Sequence, residues 1–297
     1  MTVRCSAAAR ERGDDLAGTA STFRSFLLVE NAGPWGVDAL LDSRLPDGVG
    51  AALKQACAAV GVRPLLVRPG ERTPAGGPRV YAAHTAAEDP WLVGTRLGSY
   101  HDLADLDLPA LAAGRRPDWE AVDEPLVAVC THGRHDACCA ERGRPVAAAL
   151  RRAGTGGCWE VSHIGGDRFA GNLLVLPHGL YYGGLDAENV HEVVAATRRG
   201  EVHLDLLRGR SSYPMPVQYA EVALRRHLGE LRVDGLRLTG RDREGGRTTA
   251  TFAHGDRAWR VRVRTEHREP ARLTCSALRE SPRPVHVVEE IGAVGRA

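Results

Sequence analysis

Twice within its first two hundred residues the chain runs through the same succession of patterns, and that repetition narrows its possible folds more than any other feature. An apolar run over Phe26–Glu30 breaks at the turn Glu30-Asn31-Ala32-Gly33, and helical spacing follows from about Gly48 to Val60. Short apolar runs then occupy Pro64–Val67, Val80–His84 and Trp91–Leu97 before helical spacing returns over Leu103–Ala113. A second series opens at Leu126–Cys130 with the turn Cys130-Thr131-His132-Gly133. It continues through a helix at Asp136–Arg152 and runs at Cys158–His163, Asn172–Pro177 and Leu180–Gly183, and it closes on a helix over Asp186–Arg198 with Asp186 as N-cap. The first helix of each series ends near a glycine, Gly61 and Gly154. Two β-α-β-β-β-α series in tandem predict an α/β fold built by internal duplication.

The charged segment Asp118–Glu124 reads as the linker between the series. After Arg208 the pattern changes. A helix over Pro216–Leu228 leads into alternating runs at Leu236–Leu238, Thr248–Phe252, Trp259–Arg264, Arg272–Ala277 and Val285–Glu289, with glycines and Pro270 between them. Such punctuation predicts an antiparallel meander, a small α+β appendage without a catalytic residue set of its own.

An apolar fraction of 43% in 297 residues is enough for real cores. The formal net charge of +2 comes from 39 basic and 37 acidic residues spread along the chain, so no field exists to attract nucleic acid or anionic lipid. Met1–Gly18 is polar and lacks an apolar h-region, and no stretch is long enough to span a bilayer. The expectation is a cytoplasmic protein. Seven cysteines make an odd number in a chain of this size, which argues against a disulfide framework and for ligands or redox thiols where they cluster.

They cluster at the end of the second series' first strand. Cys130 ends that strand and Cys139 falls in the first turns of the following helix, where free N–H groups and the helix dipole stabilise a thiolate. Two such thiolates can share one iron or one zinc. Cys138 points about 100° away from Cys139 on a helix, so the two are not expected to serve one metal together: one is a ligand and the other packing. His163 ends the next strand before a Gly-Gly pair and is a candidate ligand; Asp167, four residues on, offers an oxygen that suits harder metals. His132 and His135 are expected to act through hydrogen bonds, and Arg134 and Arg168 could offset a cluster's charge. Isolated Cys57, Cys158 and Cys275 are expected to behave as small hydrophobes.

These residues carry a resemblance. The Cys130-x8-Cys139 element with its internal His132 and Asp136, the run from Ser162 to Asn172 and the Gly33-Pro34-Trp35-Gly36 turn are similar to the sucrase/ferredoxin-like family, which includes thioredoxin-like [2Fe-2S] proteins of fungi and bacteria. The resemblance covers most of residues 20 to 200. It implies two tandem thioredoxin-like units, a degenerate one at 20–117 without cluster ligands and a ferredoxin domain at 124–208, followed by the appendage at 209–297. It also implies a [2Fe-2S] cluster on two cysteines and two histidines spaced His-x3-His. Cys130, Cys139 and His163 match that set, whereas Asp167 stands where the second histidine belongs.

A carboxylate in place of imidazole is a harder, anionic donor, which lowers the reduction potential and weakens retention of the cluster. Three outcomes follow: Asp167 ligates, Cys138 or a histidine substitutes, or no cluster is held. No carboxylate pair is placed for glycoside cleavage, so the first word of the family name carries no weight. The expected function is electron transfer to a redox partner protein. The alternatives are a zinc-binding structural or regulatory module on Cys130, Cys139, His163 and Asp167, and a thiol redox protein with Cys138 or Cys139 as nucleophile, in which Cys130 could resolve an oxidised Cys139.

Overall fold

The computed structural model describes residues 4–69 and 76–296. The first three residues of the polar stretch Met1–Gly18 therefore lie outside the described residues. A short helix, α1 (Cys5–Glu11), precedes the first series. There β1 (Ser25–Glu30) and β2 (Val62–Pro69) run parallel around α2 (Val49–Val60), and β3 (Arg79–His84) and β4 (Trp91–Arg96) add antiparallel beyond β1. Helix α2 stops at Gly61, whose left-handed φ of 77° lets its N–H donate back to the Cys57 carbonyl.

The expected helix at Leu103–Ala113 is two pieces. A 3₁₀ turn over Tyr100–Asp105, begun by a Ser99/Asp102 capping box, ends before α3 (Leu108–Ala112), which Asp107 caps and Pro109 helps to open. Within the charged segment Asp118–Glu124 lies a two-residue strand, β5 (Glu120–Ala121), paired with β4.

The second series repeats the first. β6 (Leu126–Cys130) and β7 (Cys158–Val161) run parallel around α4 (Ala137–Arg152), and β8 (Leu173–Leu176) and β9 (Leu180–Tyr182) add antiparallel beyond β6. Helix α5 (Val190–Arg198) begins four residues later than expected. Asp186 spends its carboxylate on the N–H groups of Glu188 and Asn189, forming a turn ahead of the helix and not its cap.

All these strands share one curled sheet, in the order β10-β9-β8-β6-β7-β2-β1-β3-β4-β5, with β10 (Leu207–Arg210) at one edge. The halves β2-β1-β3-β4 and β7-β6-β8-β9 have the same order and senses. They meet where β2 and β7 pair antiparallel through Val67↔Val161, Arg68↔Glu160 and Pro69↔Trp159. That register has a consequence for function. Glu30 pairs with Val67, Val67 with Val161, and Val161 with Cys130, so the carboxyl ends of the two equivalent strands lie in one row across the sheet. Helices α2 and α4 cover one face, with Leu53 and Cys57 on Leu27 and Val29, and Val146 and Leu150 on Val127 and Val129. Apolar residues of the other face from both halves, including Phe26, Leu28, Ala128 and Tyr181, form a single cluster.

The tail forms a separate antiparallel sheet of β11 (Arg237–Glu244), β12 (Arg247–His254), β13 (Arg257–Ala271) and β14 (Ser281–Arg296). The run Arg272–Ala277 is not a strand but part of the loop joining β13 to β14. Helix α6 (Met215–Leu228) lays Val217, Ala220 and Leu224 on Phe252, Val261 and Val263. Its buried Glu221 accepts from Arg225 at 2.9 Å and lies 3.5 Å from Arg210 of β10, tying the two sheets together. Among the described residues no helix is long and apolar enough to cross a membrane.

Candidate metal centre

Cys130 closes β6, and α4 returns over it so closely that a Cβ on Gly143 would lie 1.9 Å from the Cys130 carbonyl oxygen. That approach puts the first turn of α4 beside the strand end. Asp136 caps the helix by accepting from the Cys138 N–H at 2.8 Å, and Cys139 follows inside the first turn. The ligand atoms of Cys130, Cys139 and His163 all lie within 4.8 Å of one another. Both cysteines are 1% exposed. The two thiols act on each other, and the contact holds Cys130 below the ordinary thiol range and, with burial, Cys139 far above it.

His163 stands on a loop with no freedom to wander. Gly165 and Gly166 adopt φ of 94° and 79°, and a Cβ on Gly166 would lie 2.1 Å from the Arg208 guanidinium. Arg208, fully buried, donates to the Gly165 carbonyl and to Asn172 Oδ1, both at 2.9 Å, while Asn172 Nδ2 donates to the Gly166 carbonyl at 2.9 Å. Burial brings Arg208 down to about 10. The role of Arg208 was not visible in the sequence; the only signal is a charged residue directly after the apolar pair Leu206-Leu207.

His132 is placed by both ring nitrogens. Its Nδ1 accepts from the His163 backbone N–H at 3.2 Å, and Nε2 lies 2.9 Å from the Gly36 carbonyl, which can only accept. The ring is therefore the neutral Nε2–H tautomer with no lone pair left for a metal. Burial agrees, lowering its pKa. Trp35 packs edge-on to the same ring at 5.7 Å, and the Arg68 guanidinium covers the indole at 4.4 Å. The Gly33-Pro34-Trp35-Gly36 turn of the first series thus buttresses the second.

His163 Nδ1 is buried and makes no hydrogen bond. Asp167 Oδ1 lies 2.9 Å from it but off the angle a ring N–H needs. Burial alone would disfavour the imidazolium; the Asp167 charge and Cys130 outweigh it and hold His163 above the ordinary histidine range. Asp167, also buried, accepts from the Cys139 thiol at 3.3 Å, and His163 keeps its carboxyl below the usual range in spite of burial. The His135 ring stacks on His163 with centroids 3.7 Å apart, and its Nε2 lies 3.9 Å from Asp167 Oδ2. His135, His163 and Asp167 form a second set of donors within 4.8 Å, sharing His163 with the first.

Two thiols, a buried imidazole and the carboxylate beside it are donors of the kind a thiophilic metal or an iron–sulfur cluster takes. The histidines face a cleft of about 470 Å³ walled by Phe23, Val37, Lys54, Arg63, His135 and His163. Arg168 does not reach the centre: it stacks on Phe169 at 4.5 Å and lies 3.8 Å from Asp14. Cys138 is turned away, into a separate group with Cys5, Asp136 and Cys275, so the sulfur nearest in sequence is not a substitute ligand. Cys57 and Cys158 sit apart, and burial pushes them up to about 12 and about 11.

Residues 16–209 match the family model described as Sucrase/ferredoxin-like. No curated protein matches, and no solved structure does.

Proposed function

This chain belongs to the sucrase/ferredoxin-like family, and from that membership and its donor set we propose that it is an electron-transfer protein whose [2Fe-2S] cluster is held by Cys130, Cys139, His163 and Asp167. The observation that carries this reading is the convergence of two buried thiols and the His163 imidazole, with donor atoms all within 4.8 Å of one another and Asp167 in contact with both Cys139 and His163. Such a cluster supplies a one-electron couple. The chain's own residues do the rest. His132 fixes the His163 backbone, Asn172 and Arg208 clamp the Gly-Gly turn, and the buried Arg208 cation offsets negative charge at the centre. The cleft beside His163 gives a redox partner protein an approach to the histidine side of the centre. The two halves of the large sheet read as tandem thioredoxin-like units at 20–117 and 124–208, the first without ligands, with 209–297 as the appendage.

A single zinc ion is the second reading, favoured by the compactness of the three donors, all within 4.8 Å. Anaerobic purification followed by an absorption spectrum and iron, sulfide and zinc analysis separates the two. The expected result is a brown protein that loses its colour in Cys130→Ala and in Cys139→Ala and keeps it in Cys158→Ala. Colourless protein with stoichiometric zinc at these residues would establish the zinc reading instead, and metal-free protein with titratable thiols would point to thiol redox chemistry.

A further inference from the structure

Three cysteines that lie far apart in the chain meet at one point outside the centre described above. Cys5 belongs to α1, Cys138 to the first turn of α4, and Cys275 to the loop between β13 and β14. Their sulfurs are separated by 3.7 Å (Cys5 to Cys138), 3.3 Å (Cys138 to Cys275) and 3.5 Å (Cys275 to Cys5). Asp136 completes the group, with its carboxylate oxygens 3.8 and 3.7 Å from Cys5 Sγ. We infer that Cys5, Asp136, Cys138 and Cys275 form a second metal centre, a tetrahedral site for one zinc ion that fastens the amino-terminal helix and the β13–β14 loop to the start of α4.

The geometry favours one ion over a disulfide. A disulfide uses two sulfurs and strands the third, whereas no pair here is singled out. Zinc–sulfur bonds of about 2.3 Å in a tetrahedron set sulfurs about 3.8 Å apart, close to the observed triangle. The donor chemistry agrees. Asp136 is a carboxylate only 2% exposed, and among the described residues it has no ion-pair partner. Its oxygens accept the N–H groups of Cys138 at 2.8 Å and Cys275 at 2.6 Å, which orient it and leave lone pairs free. A buried anion among three thiols lacks a cation, and thiolates select a soft or borderline one. Cys138 and Cys139 project in different directions from one helix turn, so the two centres share a helix start without sharing a ligand.

The inference does not depend on what Cys130, Cys139 and His163 bind, and its test keeps the two apart. In the full chain carrying Cys130→Ser and Cys139→Ser, purified anaerobically, one zinc per chain is expected. Cobalt in its place should give intense thiolate-to-metal absorption. Adding Cys5→Ser or Cys275→Ser should remove both signals while the far-ultraviolet dichroism of the fold persists. In the unaltered chain, half-buried Cys275 should resist iodoacetamide until a zinc chelator is added, a measurement that does not require any variant to fold. Folded protein that takes up neither zinc nor cobalt overturns the inference. So does metal content indifferent to Cys5→Ser and Cys275→Ser, immediate alkylation of Cys275 in the unaltered chain, or a Cys138–Cys275 disulfide in the anaerobic protein.

Discussion

The residue that tests the candidate centre most sharply is Asp167, because it sits where the family's pattern has a histidine. It contacts Cys139 and His163, and its carboxylate groups with His135 and His163 in a donor set that shares only His163 with Cys130 and Cys139. Asp167→His replaces an anionic oxygen by a neutral nitrogen. Metal retention should improve and the midpoint potential rise by on the order of 100 mV, read by spectroelectrochemistry. An unchanged spectrum and midpoint would remove Asp167 from the ligand set. Much at this scale was legible in the chain: Cys130, Cys139 and His163 were selected by their places at strand and helix ends, and the structure brings their donor atoms together. What could not be read is where a side chain turns. Cys138 and Cys139 are neighbours in the first turn of α4, yet Cys139 faces His163 and Cys138 faces Cys5 and Cys275. Cys275 looked like an ordinary small hydrophobe because its partners are more than a hundred residues away.

Among the elements, α4 carries one cysteine of each group of donors in its first turn, and its seating depends on Gly143. A methyl at that position would fall 1.9 Å from the Cys130 carbonyl, and backbone cannot yield as a flexible side chain can. Gly143→Ala should therefore push α4 off β6, destabilise the fold by about 1–3 kcal/mol and lower metal content together with thermal stability. A variant as stable as the parent with full metal content would show that the contact is not limiting. Element positions were readable wherever periodicity ran unbroken, as for β6, whose expected and observed limits coincide at Leu126–Cys130. They were missed where local side-chain hydrogen bonds overrode it. Asp107 restarted a helix after the Ser99 turn, and Asp186 formed a turn in place of a cap. Arg272–Ala277 alternates like a strand, but its place is set by Asp136, which binds the Cys275 N–H at 2.6 Å.

Across the whole molecule, stability has a pH dependence that starts far from the centre. His178, on the turn between β8 and β9, is pushed down to about 4 by burial and by the nearby Arg210. The unfolded chain protonates this ring near 6.5, so between these values the unfolded state binds the extra proton. Stability contributed by the neutral ring is complete above about pH 6.5 and is lost as pH falls toward 4, to the extent of roughly 2–3 kcal/mol. Urea midpoints measured across that range should fall more steeply for the parent than for His178→Gln; parallel curves would assign the acid loss to other groups. The repeated β-α-β-β-β-α order announced the similarity of the halves, whereas the way they join did not appear in the sequence. Arg68 and Glu160, which pair at 2.9 Å across the β2–β7 junction, are unremarkable charges until the register is known.

That junction behaves like the interface of a symmetric dimer welded into one polypeptide. The equivalent N–H groups of Asn31 and Thr131 donate to the equivalent carbonyls of Val67 and Val161, as if a twofold axis passed between the central strands. In a true homodimer every substitution is made twice, and the two turns must remain identical. Covalent linkage lifts that constraint. One turn has become a cradle of tryptophan, proline and glycine, and the other is free to carry sulfur and imidazole.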